Sequence, residues 1–191
     1  MIKTRNDLKD YLSADGKNYW HLHVGCIKRW YTHLFTDPMT DQTKIWSYIY
    51  NLRHLEYHIN NKGLYHTLAK VYYSWRLRSL SYKTGFQIPP NTCGKGLTIW
   101  HWGTIIINGR ASLGDNCTLR PMVLIGHRKS EEDAPQIGNN VTISSGVSII
   151  GPITIGDNVV IAPNAAVASD IPSDSLVGGV PAKVKKKYKE I

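Results

Sequence analysis

Carboxylates are missing from the middle of this chain: no Asp or Glu occurs between Glu56 and Asp115, while Lys62, Lys70, Arg76, Arg78, Lys83, Lys95 and Arg110 all fall there. The formal net charge of +9 is therefore unevenly spread. Such a field attracts anions such as nucleic acid, phosphorylated cofactors or anionic lipid, and a merely solubilising surface also accounts for it. Cysteine is scarce too. Cys26, Cys93 and Cys117 are odd in number and have neither metal-ligand spacing nor the density of a disulfide scaffold, so no redox chemistry is assigned, and Cys117 is expected as a small buried apolar side chain. No run of about 18 apolar residues exists, which excludes a membrane-spanning helix of ordinary composition. The opening MIKTRNDLKDYLSADG has no apolar core followed by small residues, so no secretory signal is read and a cytoplasmic location is expected. A phosphate loop, a dinucleotide fingerprint and a Gly-x-Ser-x-Gly elbow are absent. His54 and His58 flank Glu56 in HLEYH, but this is not the HExxH arrangement and no third ligand is evident, so no metal is expected.

What the chain has is a period of six. Ile107, Leu113, Leu119 and Ile125, then after a loop Ile137, Ile143, Ile149, Ile155, Ile161 and Val167, recur at every sixth position. That spacing fits neither a helix face nor strand alternation, and it predicts short strands separated by turns that wind one coil on the next. The Asn, Asp and Gly residues in LGDNCT, IGNNVT and IGDNVV tolerate the left-handed backbone angles that tight corners need, while the aliphatic residue fills the shaft. Three units make an eighteen-residue triangular coil, which stacks Ile137 under Ile155, Ile143 under Ile161 and Ile149 under Val167 at roughly 4.8 Å per layer.

Three regions follow. Residues 1–84 lack the hexad and read as helical: Ile45, Ile49, Leu52, Leu55 and Ile59 keep three-four spacing, and Leu64, Leu68, Val71 and Trp75 carry the pattern onward. Residues 85–180 form the solenoid, entered through GFQIPPNTCGKG, with GHRKSEEDAPQ projecting as a loop between Ile125 and Ile137. Residues 181–191 are a basic tail. The stretch YHTLAKVYYSWRLRSLSYK has the composition of a helix lying peripherally on a membrane; an amphipathic helix packed on its own solenoid or on another subunit is the competing reading.

The segment IWHWGTIIINGRASLGDNCTLRPMVLIG, residues 99–126, places His101 just before the in-phase aliphatics. With the ending GDNVVIAPNAAVASDIPSDSLVGGVPAKV, it resembles the hexapeptide-repeat acyltransferases, in their serine acetyltransferase-like branch, over about residues 85–184. The resemblance implies a mainly β protein, a left-handed parallel β-helix with an N-terminal α-helical region, assembled as a homotrimer. It implies acetyl-CoA as co-substrate, with no metal and no nucleic-acid partner. It makes His101 the general base that takes a proton from an acceptor hydroxyl, a role suited to an imidazole whose ordinary pKa lies near 6.5. It carries the CoA groove to Ser144, Ser145, Ala162 and Pro163, chiefly through their backbone groups, with Lys183 and Lys185 for the CoA phosphates. Trp100 and Trp102 flank His101 as walls for an acceptor, and His127 in the loop is the rival base.

Departures from the family pattern bear on the acceptor. Where serine acetyltransferases carry an Asp before the catalytic His, a second Asp farther upstream and a second His before a loop Pro, this chain holds Trp100, Gln87 and Ala134. Asp115, or Glu131, Glu132 and Asp133 of the loop, from this chain or a neighbouring subunit, are the acids available to orient His101, alongside a backbone carbonyl. The WHWG and IPPN segments look more like enzymes that O-acetylate exopolysaccharide or capsule sugars, so a glycan acceptor is expected. The alternatives are serine O-acetyltransferase, acting on a small molecule, and a non-catalytic β-helix scaffold.

Overall fold

The computed structural model describes residues 1–19 and 42–187; Cys26 and residues 188–191 of the basic tail lie outside the described residues. The chain divides into two compact units, Met1–Thr84 and Gly85–Ile191.

The described part of the first unit holds three helices, α1 (Arg5–Gly16), α2 (Gln42–Ile59) and α3 (Leu64–Thr84). Helix α1 starts with a capping box: the Asp7 N–H donates to Thr4 Oγ1 at 3.0 Å, and the Thr4 N–H donates to Asp7 Oδ2 at 2.8 Å. Ile45, Ile49, Leu52 and Leu55 of α2 are buried as their spacing predicts. Between them sits a polar core that no spacing rule reveals. The Arg53 Nε–H donates to Asp15 Oδ2 at 2.7 Å, its Nη1–H donates to Glu56 Oε2 at 3.0 Å, and its guanidinium lies 4.9 Å from the Tyr11 ring centre. All three charged side chains are essentially inaccessible to water.

Helix α3 corrects the sequence expectation. Leu64, Leu68, Val71 and Trp75 do not continue the core of α2; they face solvent, as does Ile59. The side of α3 that meets α2 is aromatic and polar instead: Tyr73 stacks on His54 with ring centres 4.9 Å apart and on His58 at 5.4 Å, and the Nδ1 atoms of His58 and His66 share one proton at 2.9 Å. Burial lowers the pKa of both His54 and His58 from the usual 6.5, and the neighbouring histidine lowers each further. The unfolded chain therefore takes up more protons than the folded one as pH falls below 6.5. Stability from these rings is full above that value and is lost on acidification towards their lowered folded values. The helical far-UV signal should melt earlier at about pH 5.5 than at about 7.5, and the double substitution His54→Gln, His58→Gln should flatten that dependence. An unchanged pH dependence in the double variant would refute the assignment.

The second unit is a three-sided, left-handed parallel β-helix, against the right-handed habit of ordinary parallel crossovers. One face holds β1 (Phe86–Gln87), β3 (Ile105–Ile107), β6 (Val123–Gly126), β9 (Ser148–Ile150) and β12 (Ala166–Val167). A second holds β4 (Ser112–Leu113), β7 (Gln136–Ile137) and β10 (Thr154–Ile155). The third holds β2 (Thr98–Ile99), β5 (Thr118–Leu119), β8 (Thr142–Ile143), β11 (Val160–Ile161), β13 (Ser175–Gly178) and β14 (Lys183–Lys187). Ile137 pairs with Ile155, Ile143 with Ile161 and Ile149 with Val167, as the six-residue period predicts, and all six fill the shaft. On the edge between the second and third faces, Asn116, Asn140, Asn158 and Asp174 all have φ near +57°. Their side chains form a ladder, each Asn amide donating to the next side-chain oxygen, at 3.2, 3.0 and 2.8 Å.

Cys117 lies in the shaft, 1% exposed, and burial pushes its thiol up to about 11. A thiol reagent at neutral pH should leave Cys117 unmodified until the protein is denatured. Fast labelling of the native thiol would contradict this packing.

Two irregularities depart from the regular coil. Side-chain bonds between coils span 20 residues in the first coil, 24 around the loop, 18 in the next coil and 16 in the last. The two additional residues of the first coil sit between Ile99 and Ile105, at the corner that carries His101. Residues 183–187 of the basic tail form β14, which is exposed and pairs antiparallel with β13 at the last coil.

Candidate active site

The edge joining the third face to the first collects nearly every residue singled out from sequence. It is built of stacked corners: Trp100–Thr104, then residues 120–122, 144–146 and 162–164, ending at the Gly179–Pro181 turn. Backbone bonds tie each corner to the next. The Trp100 N–H donates to the Leu119 carbonyl at 3.1 Å, Gly146 N–H to Pro121 at 3.1 Å, Asn164 N–H to Ser145 at 2.9 Å and Ala162 N–H to Val177 at 2.8 Å.

At the top of this edge His101 is exposed and has φ +66°, inside the left-handed region. A residue with a Cβ pays about 1–2 kcal/mol for that conformation, a strain that concentrates where a side chain must be aimed. The two additional residues make the aim possible. They swing Trp100, His101 and Trp102 outward, and Gly103 at φ +137° lets the chain return beneath them. A Cβ at Gly103 would stand 3.1 Å from Pro121 Cβ. Trp100 and Trp102 are 40% and 51% exposed, and Met122 and Leu124, also exposed, belong to the next coil.

Down the same edge, Ser144 is buried, Ser145 and Ala162 half-buried and Pro163 exposed. Three of the backbone groups expected to meet a cofactor already bridge coils, namely the Ser144 N–H to Ile161 O at 3.2 Å, the Ala162 N–H to Val177 O and the Ser145 carbonyl. A ligand on this edge has the remaining backbone groups and the Ser145 hydroxyl. At the far end, Lys185 Nζ lies 4.0 Å from the position a Cβ would take on Gly179, and Lys183 opens β14.

His127 stands on a different edge, between the first and second faces. The Arg110 N–H donates to Asn108 Oδ1 at 2.7 Å, which fixes that amide, and Asn108 Nδ2 then donates to His127 Nδ1 at 2.8 Å. That bond occupies Nδ1 of the exposed His127 ring. Arg128 beside it donates to the Ala168 carbonyl at 3.1 Å, which ties the start of the exposed loop to that edge.

The acids expected to orient His101 are elsewhere in this chain. Asp115 accepts from the Lys95 N–H at 3.0 Å on the third edge, and Glu131, Glu132 and Asp133 belong to the His127 loop. Ala134 is buried in the shaft, and Gln87 is exposed on β1. Among the described residues, no group of three or more His, Cys, Asp or Glu side chains is placed to hold a metal ion.

A match to the family described as bacterial transferase hexapeptide (six repeats) covers residues 134–169. The chain is similar to the serine acetyltransferase of Synechococcus elongatus, 36% identical over 104 residues, which are 53% of this chain and 43% of that protein. It is also similar to the serine acetyltransferase of Helicobacter pylori, 34% identical over 127 residues, 63% of this chain and 74% of that protein. The chain belongs to the serine acetyltransferase family of hexapeptide-repeat transferases. Its match spans less than half the length of the Synechococcus relative. Among solved structures, the serine acetyltransferase of Neisseria gonorrhoeae in complex with serine aligns with a TM-score of 0.67 at 27% identity, over 95% of this chain and 70% of that one. A serine acetyltransferase in complex with CoA shares the fold at 20% identity and a TM-score of 0.67, over 94% of this chain and 70% of that one.

Proposed function

We propose that this protein is an acetyl-CoA-dependent O-acetyltransferase in which His101 is the general base. The observation that carries the reading is the single edge, with the strained, outward His101 at one end, Ser145, Ala162 and Pro163 along it and Lys185 at the other. From the His101 coil to the Gly179 turn the edge runs four layers, about 19 Å at roughly 4.8 Å each, which suits an extended pantetheine arm with its phosphates at the basic end. The acceptor hydroxyl gives its proton to the His101 imidazole as its oxygen attacks the thioester carbonyl carbon. The tetrahedral intermediate then collapses, the carbon–sulfur bond breaks, and the leaving thiolate takes the proton back from the imidazolium. The products are an O-acetyl ester and free CoA. A homotrimer, with the edge completed by a neighbouring copy, is part of the proposal.

L-serine is the acceptor in the relatives' names, and serine O-acetylation is the first reading of the acceptor. The replacement of acidic residues by Trp100 and Gln87 favours a second. Two exposed indoles around the base suit the apolar face of a sugar ring, and a carboxylate to hold an amino group is missing from the family's positions. Release of CoA with L-serine, nucleotide sugars and oligosaccharides separates the two. Turnover on serine alone supports the first, and turnover on saccharides with none on serine supports the second. A protein that shows neither turnover nor a rise in melting temperature with acetyl-CoA is a scaffold, and the enzyme reading falls.

A further inference from the structure

Helix α3 packs one side on α2, and its opposite side is apolar and uncovered among the described residues. His66, Tyr73 and Leu77 turn towards α2. On the other side Leu64, Leu68, Val71, Trp75 and Tyr82 are each at least 64% exposed. At about 100° per residue these five project within about 40° of one line, so they form a continuous stripe. Part of the stripe lines a groove of about 350 Å³ formed by Ile59, Lys70, Val71, Ser74, Trp75 and Arg78. Lys70 and Arg78 flank the stripe on one side, and Arg76 and Lys83 on the other; all four are exposed.

The charge pattern selects the occupant. From residue 57 to the end of α3 there is no carboxylate, so two copies meeting stripe to stripe would bring cation against cation. A partner must offer an apolar layer beneath a dense layer of anions. A bilayer containing anionic phospholipid does both: acyl chains receive the Leu and Trp side chains, and headgroup phosphates receive the flanking cations, whose long stems reach outward. No helix among the described residues is long and apolar enough to cross a membrane, which fits a helix lying in the plane of the surface.

We propose that the outward stripe of α3 docks on an anionic phospholipid surface, with Leu68, Val71 and Trp75 entering the headgroup boundary and Lys70, Arg76, Arg78 and Lys83 pairing with phosphates. The docking is independent of the acceptor that the enzyme uses. The test is sedimentation of the full chain with vesicles of phosphatidylcholine alone or mixed with phosphatidylglycerol. The wild type pellets with the mixed vesicles, stays in solution with phosphatidylcholine alone and is released by salt. The pairs Leu68→Ser, Trp75→Ser and Lys70→Glu, Arg78→Glu each lower vesicle binding on the order of tenfold with unchanged melting. If the apolar pair perturbs folding, the charge pair decides the matter. A wild type that does not pellet with anionic vesicles, or variants that bind as well as it does, would overturn the proposal. So would a change in the mass of the lipid-free assembly in the Leu68→Ser, Trp75→Ser variant, because the stripe would then be a protein contact.

Discussion

Replacing His101 with Asn should lower kcat/KM by about 10² to 10⁴ while leaving the melting temperature unchanged or slightly raised. The pairing of outcomes follows from the backbone. Asn visits the left-handed conformation readily, so the φ of +66° survives while the imidazole is lost. His101→Gly relieves the strain further and should stabilise the β-helix while abolishing turnover equally. His127→Ala serves as the contrast: its ring lies on another edge with its acceptor nitrogen already occupied, and its loss should cost far less than that of His101. If His127→Ala abolished turnover and His101→Asn did not, the roles would be reversed.

Arg53→Met is expected to be the most destabilising single change in the helical unit. It removes the cation held between Asp15 and Glu56 and leaves two buried carboxylates facing a methionine, a loss of about 3–5 kcal/mol. Urea unfolding followed by the helical signal measures this. The triple replacement of Arg53, Asp15 and Glu56 by apolar residues should recover much of the loss, since most of it is the cost of unpaired buried charge. Equal stability of Arg53→Met and wild type would mean that water reaches this cluster.

The hexads were legible because each face puts an aliphatic residue into the shaft at every sixth position and the corners admit few residue types, so composition and position coincide from Ile107 to Val167. The first coil was not. Phe86, Cys93 and Ile99 point into the same shaft, but the two residues added around His101 put them out of phase with the later hexads, and a six-residue ruler passes over them. The same insertion carries the exposed His101, so the irregularity that hid the coil coincides with the proposed site. On α3 the spacing of Leu64, Leu68, Val71 and Trp75 imitates a core stripe; periodicity reports an apolar face, not what covers it. The true contact with α2 runs through His66 and Tyr73, whose polar atoms disguise a packing role. Arg53 and Asp15 are 38 residues apart, beyond any local pattern. At Ser144 and Ala162 the backbone N–H groups hold neighbouring coils together, a use of corner amides that the sequence pattern does not display.

Crystals of the protein soaked with CoA test the central claim directly. The account predicts the thiol sulfur beside the His101 imidazole, the pantetheine arm passing Ser145 and Pro163, and the phosphates near Lys185. Sulfur beside His127, or CoA bound on another edge of the prism, would contradict it.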